Sequence, residues 1–253
     1  MAAFVDQDNI VRKIWGKADT ILFIFAGSAA EFALNKAVDW LYFTGKLPAD
    51  PLARLFSTVA YARQIIFSDE DDAIRAIDKI TAIHQGVEQA RGAQIPDWAY
   101  RDVLFMLIGY SIRSFELLER KLTIQEKADV FDVFNRVGLQ MKLSGLPASY
   151  LQWEQMREQH MQHDMISSEF TIDLYRQYKK HLGLNRYFVL RQVQIMVTPK
   201  RVRNLLGLSN IPVLLPVLLV YKLFKAIKLE GLLKNALLPL KYKAQIKSLD
   251  FAG

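Results

Sequence analysis

Apolar side chains recur every three to four residues along nearly the whole chain of 253 residues. After the acidic run that begins at Asp69, for example, Ala73, Ile77 and Ile80 follow one another at this spacing. Such a period places them on one face of an α-helix. Strands would instead alternate apolar and polar residues between turn dipeptides, and the sequence has no such segments. We therefore predict an all-α protein, a single bundle-like domain of about eight to ten helices.

Residues that favour helix ends mark several boundaries. Pro51 suits the first turn of one helix, Ser68 with the acids that follow opens a second, and Thr123 with Glu126 forms a capping box before another. The predicted helices cover residues 20–43, 52–67, a segment starting at 68, 96–121, 123–138, 148–165, 169–180, 201–206, 217–228 and 232–246.

The composition and the missing motifs exclude several chemistries. The chain has no cysteine, which removes disulfides, thiolate catalysis, iron–sulfur clusters and Cys-ligated haem. No two glycines are separated by a single residue, so the sequence has neither a dinucleotide-binding fingerprint nor a P-loop. A bound metal would have to be held by histidine, carboxylate or water.

Two of the four histidines, His160 and His163, are three residues apart and would share a helix face. With Glu158 and Asp164 nearby, they could bind a single metal ion. The alternative interpretation is a solvated polar helix face, because residues 152–164 are hydrophilic nearly throughout.

A second pattern joins two predicted helices. Arg54 and Thr58 lie in the stretch Asp-Pro-Leu-Ala-Arg-Leu-Phe-Ser-Thr, and His84 follows in the next helix after an acidic cap. This order and spacing resemble the rubber oxygenase family, which includes bacterial latex-clearing proteins and a fungal ER-bound oxygenase that shortens a prenyl chain. The similarity runs over residues 24–145, with weaker agreement in 205–248.

The resemblance implies an all-helical domain with a buried pocket for haem b. His84 would be the proximal iron ligand, Arg54 and Thr58 would line the pocket, and Ser57 stands where latex-clearing proteins have a lysine. A second histidine of the family has no counterpart in residues 107–110. Without haem, His84 would be a core histidine bonded to the backbone, Arg54 an ion-pair partner, and Thr58 bonded to its own helix.

Glu31 is an isolated acid in a strongly apolar predicted helix. It could supply a distal carboxylate for catalysis, because burial would raise its pKa and suit it to acid–base work. It could equally be a charge that pairs two helices.

Charge is distributed unevenly along the chain. Residues 1–170 contain 18 Lys and Arg against 23 Asp and Glu, a net charge of −5, whereas residues 171–253 contain 15 against three, a net charge of +12. In the C-terminal part Lys222, Lys225 and Lys228 alternate with aliphatic residues. We divide the chain into a helical domain, 1–210, and basic apolar helices, 211–253, which either pack on that domain or bind an anionic membrane surface.

No secretory signal and no spanning segment are evident, since the longest apolar run has 11 residues, 211–221. We expect a cytoplasmic protein, at most peripheral to the inner face of the membrane, and no nucleic-acid partner.

The sequence together with the resemblance predicts a haem-b-dependent oxygenase that uses O2 on an apolar unsaturated substrate, isoprenoid or lipid-like. The alternative is a non-catalytic, membrane-peripheral helical protein that binds lipid or haem.

Overall fold

A computed structural model describes residues 2–45 and 49–226. These residues form eleven helices and, apart from two isolated bridges, no β-structure. The all-α prediction is therefore confirmed. The helices are α1 Ile10–Trp15, α2 Ala18–Phe32, α3 Val38–Phe43, α4 Pro51–Phe67, α5 Glu70–Arg91, α6 Asp97–Leu118, α7 Ile124–Gln140, α8 Tyr150–His163, α9 Glu169–Val197, α10 Lys200–Leu205 and α11 Leu215–Ala226.

Helices α2 and α6 cross at the centre of the fold. Gly27 makes their close approach possible, because the Tyr110 ring occupies the space that a Cβ atom at position 27 would take. Both helices are buried over much of their surface, with Ile21 and Ile24 on α2 and Ile108 on α6 almost fully enclosed. The remaining helices pack around this pair.

Two predicted helices differ in extent from those observed. The segment predicted as one helix over 20–43 is broken between Phe32 and Val38, where Asn35 accepts a hydrogen bond from the backbone of Ala37 and Ile166 donates its N–H to Leu34 O at 2.7 Å. One local and one long-range contact thus replace helical hydrogen bonds. The helix predicted over 169–180 continues to Val197 across a kink at Gly183, whose φ of 71° and ψ of 171° are not helical.

The helix starts have the kinds of capping residue that the sequence predicts. One cap is shifted by a residue, and one helix was not predicted. Thr123 and Glu126 form the predicted capping box. Asp69, rather than Ser68, caps α5, and its side chain accepts from the backbone N–H of Asp72 at 2.9 Å. Helix α1 was not predicted; it is six residues long, and Asn9 caps it.

Helix α11 packs on the helical body through two polar contacts. Tyr221 donates to Asp19 Oδ2 at 2.9 Å, and the half-buried Lys222 ammonium donates to Leu117 O at 3.2 Å. Helix α11 therefore contacts the helical body, and Lys222 takes part in this contact. The side chain of Lys225, with Lys228 and the predicted helix 232–246, lies outside the described residues. The boundary at 210 and membrane binding through these lysines stay predictions.

Crossing a bilayer takes a long, apolar helix, and no described helix meets that requirement.

Gly27→Ala should destabilise the fold, because the added methyl group overlaps the Tyr110 ring at the α2–α6 crossing. Overpacking of this kind costs about 1–3 kcal/mol in the free energy of unfolding. Urea unfolding followed by circular dichroism measures the change.

The matched control is Gly86→Ala in α5, where no atom lies within 4 Å of the new methyl group. This variant should be more stable by about 0.5–1 kcal/mol, since alanine favours the helix. Equal effects of the two substitutions would contradict a close crossing at Gly27.

Candidate functional site

A cavity of about 300 Å³ lies among α2, α4, α5, α6 and α7. Its walls are mainly aliphatic and aromatic, which suits an apolar ligand. His84 and Thr58, which the sequence places in one pocket, both line it, whereas Ser57 does not. The side chain of Arg54 lies outside the described residues, so its predicted role stays a prediction, as does that of Ser57.

His84 is held in a fixed orientation at the cavity wall. Its Nδ1 lies 2.9 Å from Ile80 O in the preceding turn of α5. Because a carbonyl oxygen only accepts hydrogen bonds, Nδ1 carries the proton in the neutral imidazole, and the lone pair belongs to Nε2. The ring also packs edge-on against Tyr100, with the ring centroids 5.1 Å apart and an interplanar angle of 82°.

Tyr100 is itself anchored. Its hydroxyl group donates to Glu88 Oε1 at 3.1 Å, and the same oxygen accepts the backbone N–H of Ile95 at 2.9 Å. Burial and the negative charge of Glu88 raise the pKa of Tyr100, so the hydroxyl keeps its proton and the hydrogen bond. Helix α5 thus fixes the His84 ring through the backbone carbonyl of Ile80, and helix α6 does so through the side chain of Tyr100.

On α2, Glu31 faces a group of buried polar side chains. The carboxylate is fully buried and forms a bidentate ion pair with Arg157, whose Nη2 lies 2.5 Å from Oε2. Tyr110 donates to the same Oε2 at 2.8 Å, and His160 Nε2 lies 3.3 Å from Oε1. We call Glu31, Tyr110, Arg157 and His160, together with Asp102, the buried ionic cluster.

The environment of Glu31 corrects one prediction. Burial raises the pKa of its carboxyl group, but the charge of Arg157 and the contacts with His160 outweigh burial and lower the pKa to about 2. The expected raised pKa is therefore wrong, and Glu31 has the helix-pairing arrangement given as its alternative. Its neighbours Ser28, Ala29 and Phe32 line the cavity, whereas Glu31 does not. A catalytic role for Glu31 stays a prediction.

The two histidines of α8 differ in their exposure to solvent. His160 is buried, whereas His163 is exposed and its Nδ1 contacts Gln159 O at 2.9 Å. A solvated face is therefore wrong for His160. Its ring lies between Glu31 and Asp102, and its Nδ1 is 2.7 Å from Asp102 Oδ1. Burial lowers the pKa of His160, but the two carboxylates overcome this and raise the pKa to about 9.

Sequence reasoning did not find Asp102 and Arg157 as members of this cluster. A signal was present for each: Asp102 is a lone acid in the apolar stretch of α6, as Glu31 is in α2, and Arg157 shares a helix face with His160 three residues later. Isolated charges in buried helices require partners, because an unpaired buried charge is costly.

Comparison with known protein families matches residues 15–223 to the catalytic domain described as ER-bound oxygenase mpaB/B'/rubber oxygenase. The chain belongs to this family. The matched range contains the cavity, His84 and the buried ionic cluster. No curated protein and no solved structure gave a significant match. The resemblance noted in the sequence is thus confirmed, and the helical body is the catalytic domain of an oxygenase.

Arg157→Met in this oxygenase domain should lower the free energy of unfolding by about 3–5 kcal/mol, because it leaves the Glu31 carboxylate buried without its counter-charge. Adding Glu31→Gln to this variant removes the uncompensated charge. The double variant should therefore be less destabilised than the sum of the two single variants. Urea unfolding of the three variants gives this coupling.

The control is Arg75→Met, which breaks the exposed ion pair with Asp72 on the surface of α5. Its unfolding midpoint should stay near that of the wild type. Additive effects of Arg157→Met and Glu31→Gln would contradict a coupled buried pair.

Proposed function

We propose that the protein is a haem-b-dependent oxygenase that uses O2 to oxidise an apolar unsaturated substrate of isoprenoid or lipid-like character. The family match supports an oxygenase. The observation that carries the finer proposal is the apolar cavity with a single described histidine, His84, in its wall.

The residues at the cavity are compatible with a haem, although the backbone bond of His84 is also what the interpretation without haem expects. In ligating histidines the second ring nitrogen usually donates to a carbonyl or carboxylate group, and the contact from His84 Nδ1 to Ile80 O has this form. Nε2 would then be the iron ligand, with Thr58 and, from the family resemblance, Arg54 beside the porphyrin. A cavity of about 300 Å³ lies at the lower end of the range for ligand pockets. When bound, the haem supplies O2 binding and activation.

The contribution of the chain is to bind, orient and exclude water. Tyr100 and Ile80 fix the plane of the His84 ring, so the imidazole would be oriented in advance to hold the iron. The aliphatic walls from α2, α5 and α6 offer few hydrogen bonds, which favours hydrocarbon over polar substrates. Such a pocket also keeps water away from the reacting carbon–carbon double bond.

A lipid surface can supply such a substrate, so we also propose that the protein binds one. The segment before and within α11 exposes several aliphatic side chains, among them Ile211, Leu219 and Leu223. The surface of a soluble protein rarely collects apolar groups in this way without a partner. The described contacts of Lys222 lie on the helical body, so this part of the proposal rests on the apolar side chains.

His84→Ala should abolish haem binding, because the axial nitrogen is lost while the cavity widens. Protein expressed with added haem precursor is purified, and its Soret absorption and iron content are measured. The wild type should contain close to one haem per chain and consume O2 in the presence of a polyprenoid, and the variant should do neither.

The control is His163→Ala, an exposed histidine of α8 outside this cavity, which should keep both the haem and the activity. A wild-type protein without haem would overturn the proposed cofactor. Haem without O2 uptake would favour the alternative, a binding protein without turnover.

The double variant Leu219→Ser and Leu223→Ser should bind lipid vesicles several-fold more weakly than the wild type, since it removes two side chains that are 60% and 63% exposed. Co-sedimentation with vesicles that contain anionic lipid measures the bound fraction.

Ile124→Ser is the matched control, because Ile124 is 66% exposed at the start of α7. Loss of the Ile124 side chain should leave vesicle binding unchanged. The lipid surface is refuted if wild-type protein does not sediment with vesicles, or if the control and the double variant lose binding equally.

A further inference from the structure

We propose that Asp102, His160 and Asp164 form a site for a divalent first-row transition-metal ion. The site would be separate from the His84 cavity. Four observations support this site: the spacing of the ligand atoms, the buried Nδ1 of His160, access from solvent and the local charge.

The three side chains bring one donor atom each into the space that a metal ion needs. His160 Nδ1 lies 2.7 Å from Asp102 Oδ1 and 3.5 Å from Asp164 Oδ2, and all three donor atoms lie within 4.8 Å of one another. With metal–ligand bonds of about 2.1 Å, neighbouring ligand atoms lie about 3.0 Å apart in an octahedron and about 3.4 Å apart in a tetrahedron. The two observed distances bracket these values.

An independent observation comes from the His160 ring. The residue is 4% exposed, and its Nδ1 has no well-directed hydrogen bond; its contact with Asp102 Oδ1 at 2.7 Å is an ion pair. The other nitrogen, Nε2, lies 3.3 Å from the Glu31 carboxylate, which Arg157 holds in place. Ligating histidines characteristically have this carboxylate on the far nitrogen, so the arrangement presents Nδ1 to a metal.

The Asp102 carboxylate is oriented in the same way. Asn35 Nδ2 donates to its Oδ2 at 3.0 Å, and Asn35 is itself fixed by the backbone N–H of Ala37. This leaves Oδ1 on the side of His160. Both protein ligands in the core are thus supported by a second layer of hydrogen bonds, as in metal sites generally.

A second cavity, of about 230 Å³, gives the site access to solvent. Asp102, His160 and Asp164 line it together with Trp98, Gln159 and His163, and Asp164 is partly exposed. Water molecules can therefore complete the coordination of an ion bound by three protein ligands. The guanidinium of Arg101 also borders this cavity, and it donates to Ser144 O at 2.8 Å.

The charges favour a divalent cation. A metal ion bound at Nδ1 would displace the proton that His160 carries there. Glu31, Asp102 and Asp164 then contribute three negative charges, and Arg157 pairs with the first of them. A divalent ion offsets this excess of negative charge, and Arg101 at the border of the cavity adds one further positive charge. One imidazole and two carboxylates are the donor set of Mn²⁺, Fe²⁺ and Zn²⁺, rather than of the soft cation Cu⁺.

The test uses the full chain, stripped with EDTA and titrated with Mn²⁺ while the EPR signal of the free ion is followed. We expect one Mn²⁺ per chain and at least tenfold weaker binding in Asp164→Asn. Asp164 is partly exposed, so this substitution should keep the fold, which thermal unfolding without metal verifies. Zn²⁺ should compete for the same site.

Two controls separate this site from other sources of binding. His163→Gln alters an imidazole of the same cavity that is not in the triad, and it should bind Mn²⁺ like the wild type. His84→Ala should do so as well, because the site does not depend on haem. The proposal is overturned if wild-type protein binds no Mn²⁺, if Asp164→Asn binds it equally well, or if His163→Gln weakens binding as much as Asp164→Asn.

Discussion

The fold depends on the neutralisation of one carboxylate. Glu31 is fully enclosed in the middle of α2, and an ionised carboxylate in that position costs several kcal/mol unless its charge and its lone pairs are satisfied. Arg157 supplies the charge from α8, and Tyr110 supplies a hydrogen bond from α6. The two partners reach the same carboxylate from different helices, so the positions of α6 and α8 relative to α2 are fixed at once.

The same helix divides the interior into two environments of opposite character. On one side, Ala29 and Phe32 contribute to an apolar cavity; on the other, Glu31 faces charged side chains. An oxygenase benefits from this separation. In the proposed reaction the apolar walls would protect the substrate from water, while the ionic contacts on the other side of α2 keep this helix in place.

The sequence was sufficient for features that depend on neighbours along the chain, and insufficient for those that depend on distant residues. The helical period, the capping box at Thr123 and the joint position of His84 and Thr58 at one cavity follow from local spacing and a family pattern. The pKa of Glu31 could not be predicted, because its partner Arg157 is 126 residues away. The break after α2 has a similar cause, since Ile166 supplies the hydrogen bond that replaces helix continuation.

The position of Asn35 has a consequence for ligand binding in the two cavities. Asn35 lines the apolar cavity, and its amide group donates to Asp102, which lines the second cavity. A ligand in one cavity that shifts this amide changes the free energy of ligand binding in the other cavity. Because such linkage is reciprocal, the factor by which a ligand in the first cavity changes affinity in the second must equal the factor in the opposite direction.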